Sequence, residues 1–246
     1  MRNIKLTISY DGTRYRGWQR LSGVENTIQG KLESALSGIL QEEITLFGSG
    51  RTDAGVHAKG QVANFHCQNQ MPCQEILSQL RRYLPEDIGI ESCSEAGERF
   101  HSRLNAVSKT YCYRVWNSDA PCVFERKYVY RLPAKLDDEA MKLAAAYFLG
   151  THDFQGFCSN KHYKKSTVRT IYRFAVERLG HELRFTVHGD GFLYNMVRIL
   201  VGTVLEVGMG RMEPSAVLTL LSEKNRALAG YTVPAKGLCF MEVQYQ

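Results

Sequence analysis

With 246 residues, 44% of them hydrophobic and 23% charged, the chain can bury a sizeable core as one large domain or two of ordinary size, and its composition is globular throughout. A formal net charge of +6 and a pI near 8.9 favour an anionic partner. The seven cysteines, Cys67, Cys73, Cys93, Cys112, Cys122, Cys158 and Cys239, are an odd number without a C-x-x-C pair, so neither a disulfide framework nor a zinc site is indicated.

In chain order, Ile4, Leu6, Ile8 and Tyr10 alternate with other residues and predict a strand, not a signal peptide. Thr27 to Leu40 carries Ile28, Leu32, Ala35, Leu36, Ile39 and Leu40 at helical spacing, with Asn26 or Thr27 as N-cap. Strands are expected at Ile44–Phe47, Gln61–His66 and Ile88–Cys93, with a helix from Cys73 to Leu84 that stops before Pro85. That order, β-α-β-β-α-β, is the order of a ferredoxin-like unit. The remainder repeats it with longer insertions: a strand at Thr110–Trp116, a helix at Asp137–Leu149, a hairpin from Ile171–Leu179 and Glu182–His188 around Gly180-His181, a helix from about Leu193 to Leu205, and a closing strand at Cys239–Val243. The expected class is α+β. Two ferredoxin-like halves, 1–105 and 106–246, share a mostly antiparallel sheet with helices on one face and a central cleft. No apolar run is long enough to cross a bilayer, and a reducing, cytoplasmic location is expected.

Between two of these strands lies Gly48-Ser49-Gly50-Arg51-Thr52-Asp53-Ala54-Gly55-Val56-His57, with a carboxylate, a guanidinium and an imidazole on one short segment. Its glycines imply tight turns or close approach of a bulky ligand. If the segment is extended, Arg51 and Asp53 point to the same side, and a nucleotide held by Arg51 lies beside Asp53. A solvated, irregular hairpin is the plain alternative. The loop lacks the Gly-Lys-Ser/Thr ending of a phosphate-binding loop and the G-x-S-x-G of a nucleophile elbow. Asp53, His57 and His66 lack metal-ligand spacing, and His57 reads as structural.

Two windows are free of acids. From Asp153 to Glu177, Lys161, Lys164, Lys165, Arg169 and Arg173 alternate with Phe157, Tyr163 and Tyr172; from Arg99 to Asn117 stand Arg99, Arg103, Lys109, Tyr111, Tyr113 and Arg114. Cations neutralise phosphates and aromatics stack on bases, so both windows favour RNA or DNA over a merely solvated face. In the apolar helix after Gly191, Arg198 is the only charge. A buried guanidinium is costly unless paired, so it should have a carboxylate nearby: Asp53 for a functional site, Asp190 or Glu206 for a structural one. Tyr111 and Tyr113 share one face of their strand, either as core or as a surface for an extruded base.

Together these stretches resemble tRNA pseudouridine synthases of the TruA type. The resemblance runs from Gly17-Trp18-Gln19 and Thr27-Ile28-Gln29-Gly30 through Gly50–Ala58, Phe100-His101-Ser102-Arg103 and Lys109–Tyr113. It continues through Gly150-Thr151-His152-Asp153-Phe154 and Phe192–Arg198 to Pro234–Leu238. Tyr15 and Leu104 depart from it, standing where phenylalanine is common. The resemblance implies conversion of uridine to pseudouridine at positions 38 to 40 of the tRNA anticodon stem-loop, by a homodimer without cofactor or metal. Asp53 matches the catalytic aspartate, Arg198 its basic partner, Tyr111 the tyrosine at the uracil, and Arg51 a residue linked to base extrusion. Lys161, Lys164, Lys165 and Arg169 are the expected RNA-holding cations. A single carboxylate can attack the ribose carbon, attack C6 of uracil or assist elimination to a glycal. The rival from another class is a non-catalytic RNA-binding protein or RNA chaperone on the same scaffold, which leaves a carboxylate in a phosphate-facing loop without a task.

Overall fold

The computed structural model describes residues 1–160 and 165–246. Ten strands and five α-helices follow one another along the described residues. The first part holds β1 (Arg2–Tyr10), α1 (Ile28–Leu40), β2 (Phe47–Gly48), β3 (His57–Cys67), α2 (Cys73–Tyr83) and β4 (Ile88–Ala96). After it come β5 (Ala106–Trp116), β6 (Tyr130–Arg131), α3 (Asp138–Ala146), β7 (Gly150–Asp153), β8 (Val168–Leu179) and β9 (Glu182–Gly189). The chain closes with α4 (Met196–Gly208), α5 (Ala216–Glu223) and β10 (Leu238–Tyr245). Most strand pairs are antiparallel, and the class is mixed α and β as the sequence predicts. By its contacts the chain divides into two compact units, Met1–Val107 with Cys239–Gln246, and Ser108–Leu238.

In the first unit β1 lies between β3 and β4, antiparallel to both, and β2 pairs with β3 through Phe47 opposite Asn64 and Gly48 opposite Ala63. Ile4, Leu6 and Ile8 alternate inward on β1 and are fully buried. α1 presents Ile28, Leu32, Leu36, Ile39 and Leu40 to this core, a stripe that follows the helical period. Thr27 caps it, its hydroxyl accepting from the Gly30 N–H at 3.2 Å. α2 ends where Leu84, extended ahead of Pro85, closes on the Leu80 carbonyl.

Of the strand expected at Ile44–Phe47 only Phe47 joins the ladder, together with Gly48 just beyond it. The reason is that side chains occupy the backbone of this stretch: the Leu46 N–H donates to Glu33 Oε1 at 2.9 Å, the Leu46 carbonyl accepts from Gln29 Nε2 at 3.0 Å, and the Ile44 N–H donates to the Ser37 hydroxyl at 3.0 Å. β10 also belongs here, although the division at 105/106 assigns it to the second half. It runs parallel to β3, with Cys239 opposite His57 and Phe240 opposite Ala58.

In the second unit the sheet order is β5-β9-β8-β7, with β6 parallel to β5. Asp137 caps α3, and α3 packs against α4 and β8. The helix expected to start at Leu193 begins at Met196, because Asn195 takes a left-handed conformation with φ of 62° and breaks the backbone path. α4 is then buried nearly all round. Its bare Gly202 faces the 230–233 segment so closely that a Cβ would stand 1.8 Å from the Tyr231 carbonyl oxygen. The short β7 and α5 have no counterpart in the sequence reading.

Candidate active site

The residues between β2 and β3 form a braced loop. Ser49 donates its N–H to the Val62 carbonyl at 2.7 Å. Thr52 is buried between the exposed Arg51 and the half-buried Asp53, so the segment turns one side chain inward and its two neighbours outward. The Thr52 carbonyl accepts from the Trp18 N–H at 3.1 Å, and its hydroxyl lies 2.8 Å from the Tyr10 phenol. Asp53 begins a turn closed by the Val56 N–H on its carbonyl at 3.1 Å, with Gly55 at φ of 78°.

The segment after β1 forms the floor of this loop. Tyr15 accepts the Gly55 N–H through its carbonyl at 3.3 Å, while its phenol donates to Asp87 Oδ1 at 2.6 Å, a bond that phenylalanine in this place would lack. Gly12 donates its N–H to His57 Nδ1 at 3.1 Å, and Asp11 Oδ1 stands 3.2 Å from the same nitrogen. A Cβ on Gly12 would lie 2.0 Å from the Val56 carbonyl oxygen, so this backbone approach requires glycine. His57 is buried and anchors the start of β3. Arg51 makes no hydrogen bond or ion pair among the described residues.

Tyr111 and Arg198 stand in the second unit. Tyr111 and Tyr113 share the inner face of β5 and are both buried. The Tyr111 ring meets Phe192 edge to face, with centroids 5.3 Å apart. Tyr113 donates to the Pro234 carbonyl at 2.7 Å, and burial pushes its phenol pKa up, opposed by the nearby Arg198 charge. Arg198, half-buried on α4, donates through Nε to the Val233 carbonyl at 2.8 Å and through Nη1 to Asn195 Oδ1 at 2.8 Å. Asn195 is itself held by Ser159, so the left-handed residue that opens α4 also orients the guanidinium. The two acids nearest in sequence are engaged elsewhere: Asp190 accepts the Thr170 N–H at 3.0 Å, and Glu206 lies 3.5 Å from Arg211.

Of the expected RNA-holding cations, Lys161 and Lys164 lie outside the described residues. Lys165 is exposed, and Arg169 on β8 is half-buried, with Nη1 on the Ser166 carbonyl at 2.9 Å. Arg114 and Arg173, which the acid-free windows counted as cations for RNA, are in ion pairs. Arg114 is held by Glu182 at 2.7 Å and Glu125 at 2.8 Å, and Arg173 meets Glu177 at 3.3 Å. Glu182 is brought to Arg114 by the neighbouring β9, whereas Glu177 stands four residues from Arg173 on β8, at the very edge of the acid-free window. Arg99 and Arg103, by contrast, are exposed, and their side chains have no polar partner among the described residues. Sequence reading gave no role at this loop to Tyr10, Gln61 or Tyr245: Tyr10 counted only in the alternation of the first strand, Gln61 only as the start of a strand, and Tyr245 lay beyond the strand expected at Cys239–Val243.

The first unit, β-α-β-β-α-β in order, thus presents the half-buried Asp53 carboxylate beside the exposed Arg51 on a braced loop. The family described as tRNA pseudouridine synthase matches residues 6–105 and 144–246. The chain belongs to that family, whose enzymes are isomerases. It is 48% identical over 94% of its length to the tRNA pseudouridine synthase A of Bacillus sp. (strain KSM-64), covering 95% of that protein. It is 46% identical to the tRNA pseudouridine synthase A 2 of Clostridium perfringens and 45% identical to the tRNA pseudouridine synthase A of Acetivibrio thermocellus, each over the whole of both chains. Among solved structures, a chain in the crystal structure of a Cbf5-Nop10-Gar1 complex is similar with a TM-score of 0.38 and 15% identity. The match covers 82% of the present chain and 45% of that one.

Proposed function

We propose that this enzyme converts uridine to pseudouridine in the anticodon stem-loop of tRNA, at positions 38 to 40, with Asp53 as nucleophile on an extruded nucleotide. The observation that supports it most is the half-buried Asp53 in a loop braced from below, within a chain whose full-length relatives are tRNA pseudouridine synthases. The reaction breaks the bond from N1 to the ribose carbon, turns the uracil and joins C5 to the same carbon. The C5 proton leaves and N1 gains one, so no atoms or electrons are gained or lost overall. Asp53 serves as attacking carboxylate at the ribose carbon or at C6, or as the group that assists elimination to a glycal.

In this reading Arg198 keeps the Asp53 carboxylate ionised, and the Tyr111 ring stacks on the uracil. Arg51 helps extrude the base. Lys161, Lys164, Lys165 and Arg169 hold the RNA backbone by neutralising phosphate. The enzyme acts in the cytoplasm, as a homodimer whose mass light scattering reads directly, and a monomer in that measurement would remove the dimer from the proposal.

Tritium release from tRNA labelled at uracil C5 tests the chemistry. The native chain is expected to release label, and Asp53→Asn and Asp53→Ala to release none while still binding tRNA. Release by either variant overturns the nucleophile assignment. Silence of the native chain on several tRNAs, with binding retained, supports the RNA-chaperone reading instead.

A further inference from the structure

A chain of polar side chains, all buried except the half-buried Tyr245, lies beneath the Asp53 loop. Gln61 on β3 is fully buried and uses both ends of its amide on the loop: Oε1 accepts from the Ser49 hydroxyl at 2.6 Å, and Nε2 donates to the Gly50 carbonyl at 2.9 Å. Only the NH2 end can donate to a carbonyl, so the amide has one orientation. Gln61 also reaches the Tyr10 phenol, which lies 2.8 Å from the Thr52 hydroxyl. The Ser49 hydroxyl is within reach of Tyr245, whose phenol donates to the Ser102 carbonyl at 2.8 Å. Beyond it, the Ser102 N–H donates to Asn64 Oδ1 and Asn64 Nδ2 to Asn3 Oδ1, each at 2.9 Å. Among the described residues, no buried side-chain nitrogen or oxygen lacks a partner.

Gly50 has no side chain to restrict its own φ and ψ, so the direction of its carbonyl is set by whatever holds it. Gln61 holds it on one side of Arg51-Thr52-Asp53, and Tyr10 holds Thr52 from below. We propose that Gln61 is a positioning residue for Asp53, fixing through Ser49 and Gly50 the path of the backbone that presents the carboxylate. It touches neither substrate nor the reacting atoms. The inference rests on the reading of Asp53 as nucleophile.

The test uses full-length protein, tRNA labelled with tritium at uracil C5, single-turnover rates at saturating enzyme and tRNA affinity by filter binding. Gln61→Leu fills the space but removes donor and acceptor; it is expected to slow the single-turnover rate about 10- to 100-fold while the tRNA Kd stays within about twofold. Gln61→Glu keeps an acceptor for Ser49 but, once ionised, has no donor for Gly50, and burial raises the pH at which it ionises. As the introduced carboxyl protonates toward acid pH it regains one, so the ratio of variant to native rate is expected to rise as pH falls.

A folded Gln61→Leu enzyme with the native rate overturns the proposal. If Gln61→Leu does not fold, Gln61→Glu decides it, and a rate ratio that fails to rise toward acid overturns it. Asp53→Asn in the same assay separates the two ideas. Label released by Asp53→Asn removes the nucleophile, whereas an inert Asp53→Asn beside Gln61 variants at the native rate removes only the positioning role.

Discussion

Arg198 and Val233 hold each other twice: the guanidinium Nε donates to the Val233 carbonyl at 2.8 Å, and the Val233 N–H returns to the Arg198 carbonyl at 3.4 Å. The side chain's plane is set by this clasp and by Asn195, not by charge alone. Lysine has the charge but not the fork. Arg198→Lys is therefore expected to lose about 10- to 100-fold in single-turnover rate, since misplaced charge is a poor substitute for a fixed one. Arg198→Ala should lose activity altogether and about 1–3 kcal/mol of stability by urea unfolding, having removed charge-assisted bonds to a carbonyl. A fully active Arg198→Ala enzyme would refute the role proposed for it.

Glu182 sits between Arg114 and Arg184, at 2.7 and 2.6 Å. The hydrogen bond from Arg114 is the largest influence and holds its carboxyl near a pKa of about 2, below the ordinary 4.5. A carboxyl depressed on folding stabilises the native state above its unfolded pKa and stops doing so as pH falls through the folded one. Stability from this group should thus be complete above pH 4.5 and be lost between there and about 2. Melting temperatures from pH 6 to pH 3 should fall less steeply for Glu182→Gln than for the native chain.

Charge on the surface and charge in ion pairs should separate in tRNA binding. Arg103→Glu and Lys165→Glu, at exposed positions, are each expected to weaken affinity and to flatten the plot of log K against log salt by roughly one unit of slope. Arg114→Gln should leave that slope unchanged and lower the melting temperature, because its guanidinium is spent on Glu182 and Glu125. An unchanged slope in Lys165→Glu would mean that its segment faces away from the RNA.

Gly17 stands at φ of 97°, and a Cβ there would meet the Thr52 carbonyl oxygen at 2.6 Å. Gly17→Ala should cost of order 1–3 kcal/mol and slow turnover, since relief of the clash moves the residue next to Asp53. Gly23→Ala is the control. Its φ is 73° but its Cβ would have nothing within 4 Å, so it should lose stability without slowing the single-turnover step.

The parts of the site that were legible in sequence are those made by neighbours along the chain. Arg51, Thr52 and Asp53 alternate outward, inward and outward as an extended segment requires, and Thr27 caps α1 at the expected place. What escaped was made by residues far apart. Leu46 is removed from a strand by Gln29 and Glu33, which lie 17 and 13 positions away, and Tyr245 reaches Ser102 across 143. Arg114 read as a free cation because Glu182, 68 positions on, is brought to it only by the pairing of β5 with β9.

The sequence by itself determined the periodic elements, the mixed class, the catalytic candidates and the family resemblance, because apolar period and short motifs are properties of adjacent residues. Tertiary structure alone decided which cations are spent in ion pairs, which unit receives the last strand, and what holds the Gly50 and Thr52 backbone in place. Those outcomes depend on hydrogen bonds between distant side chains in a water-poor interior, where each buried polar group must find a partner that no local pattern announces.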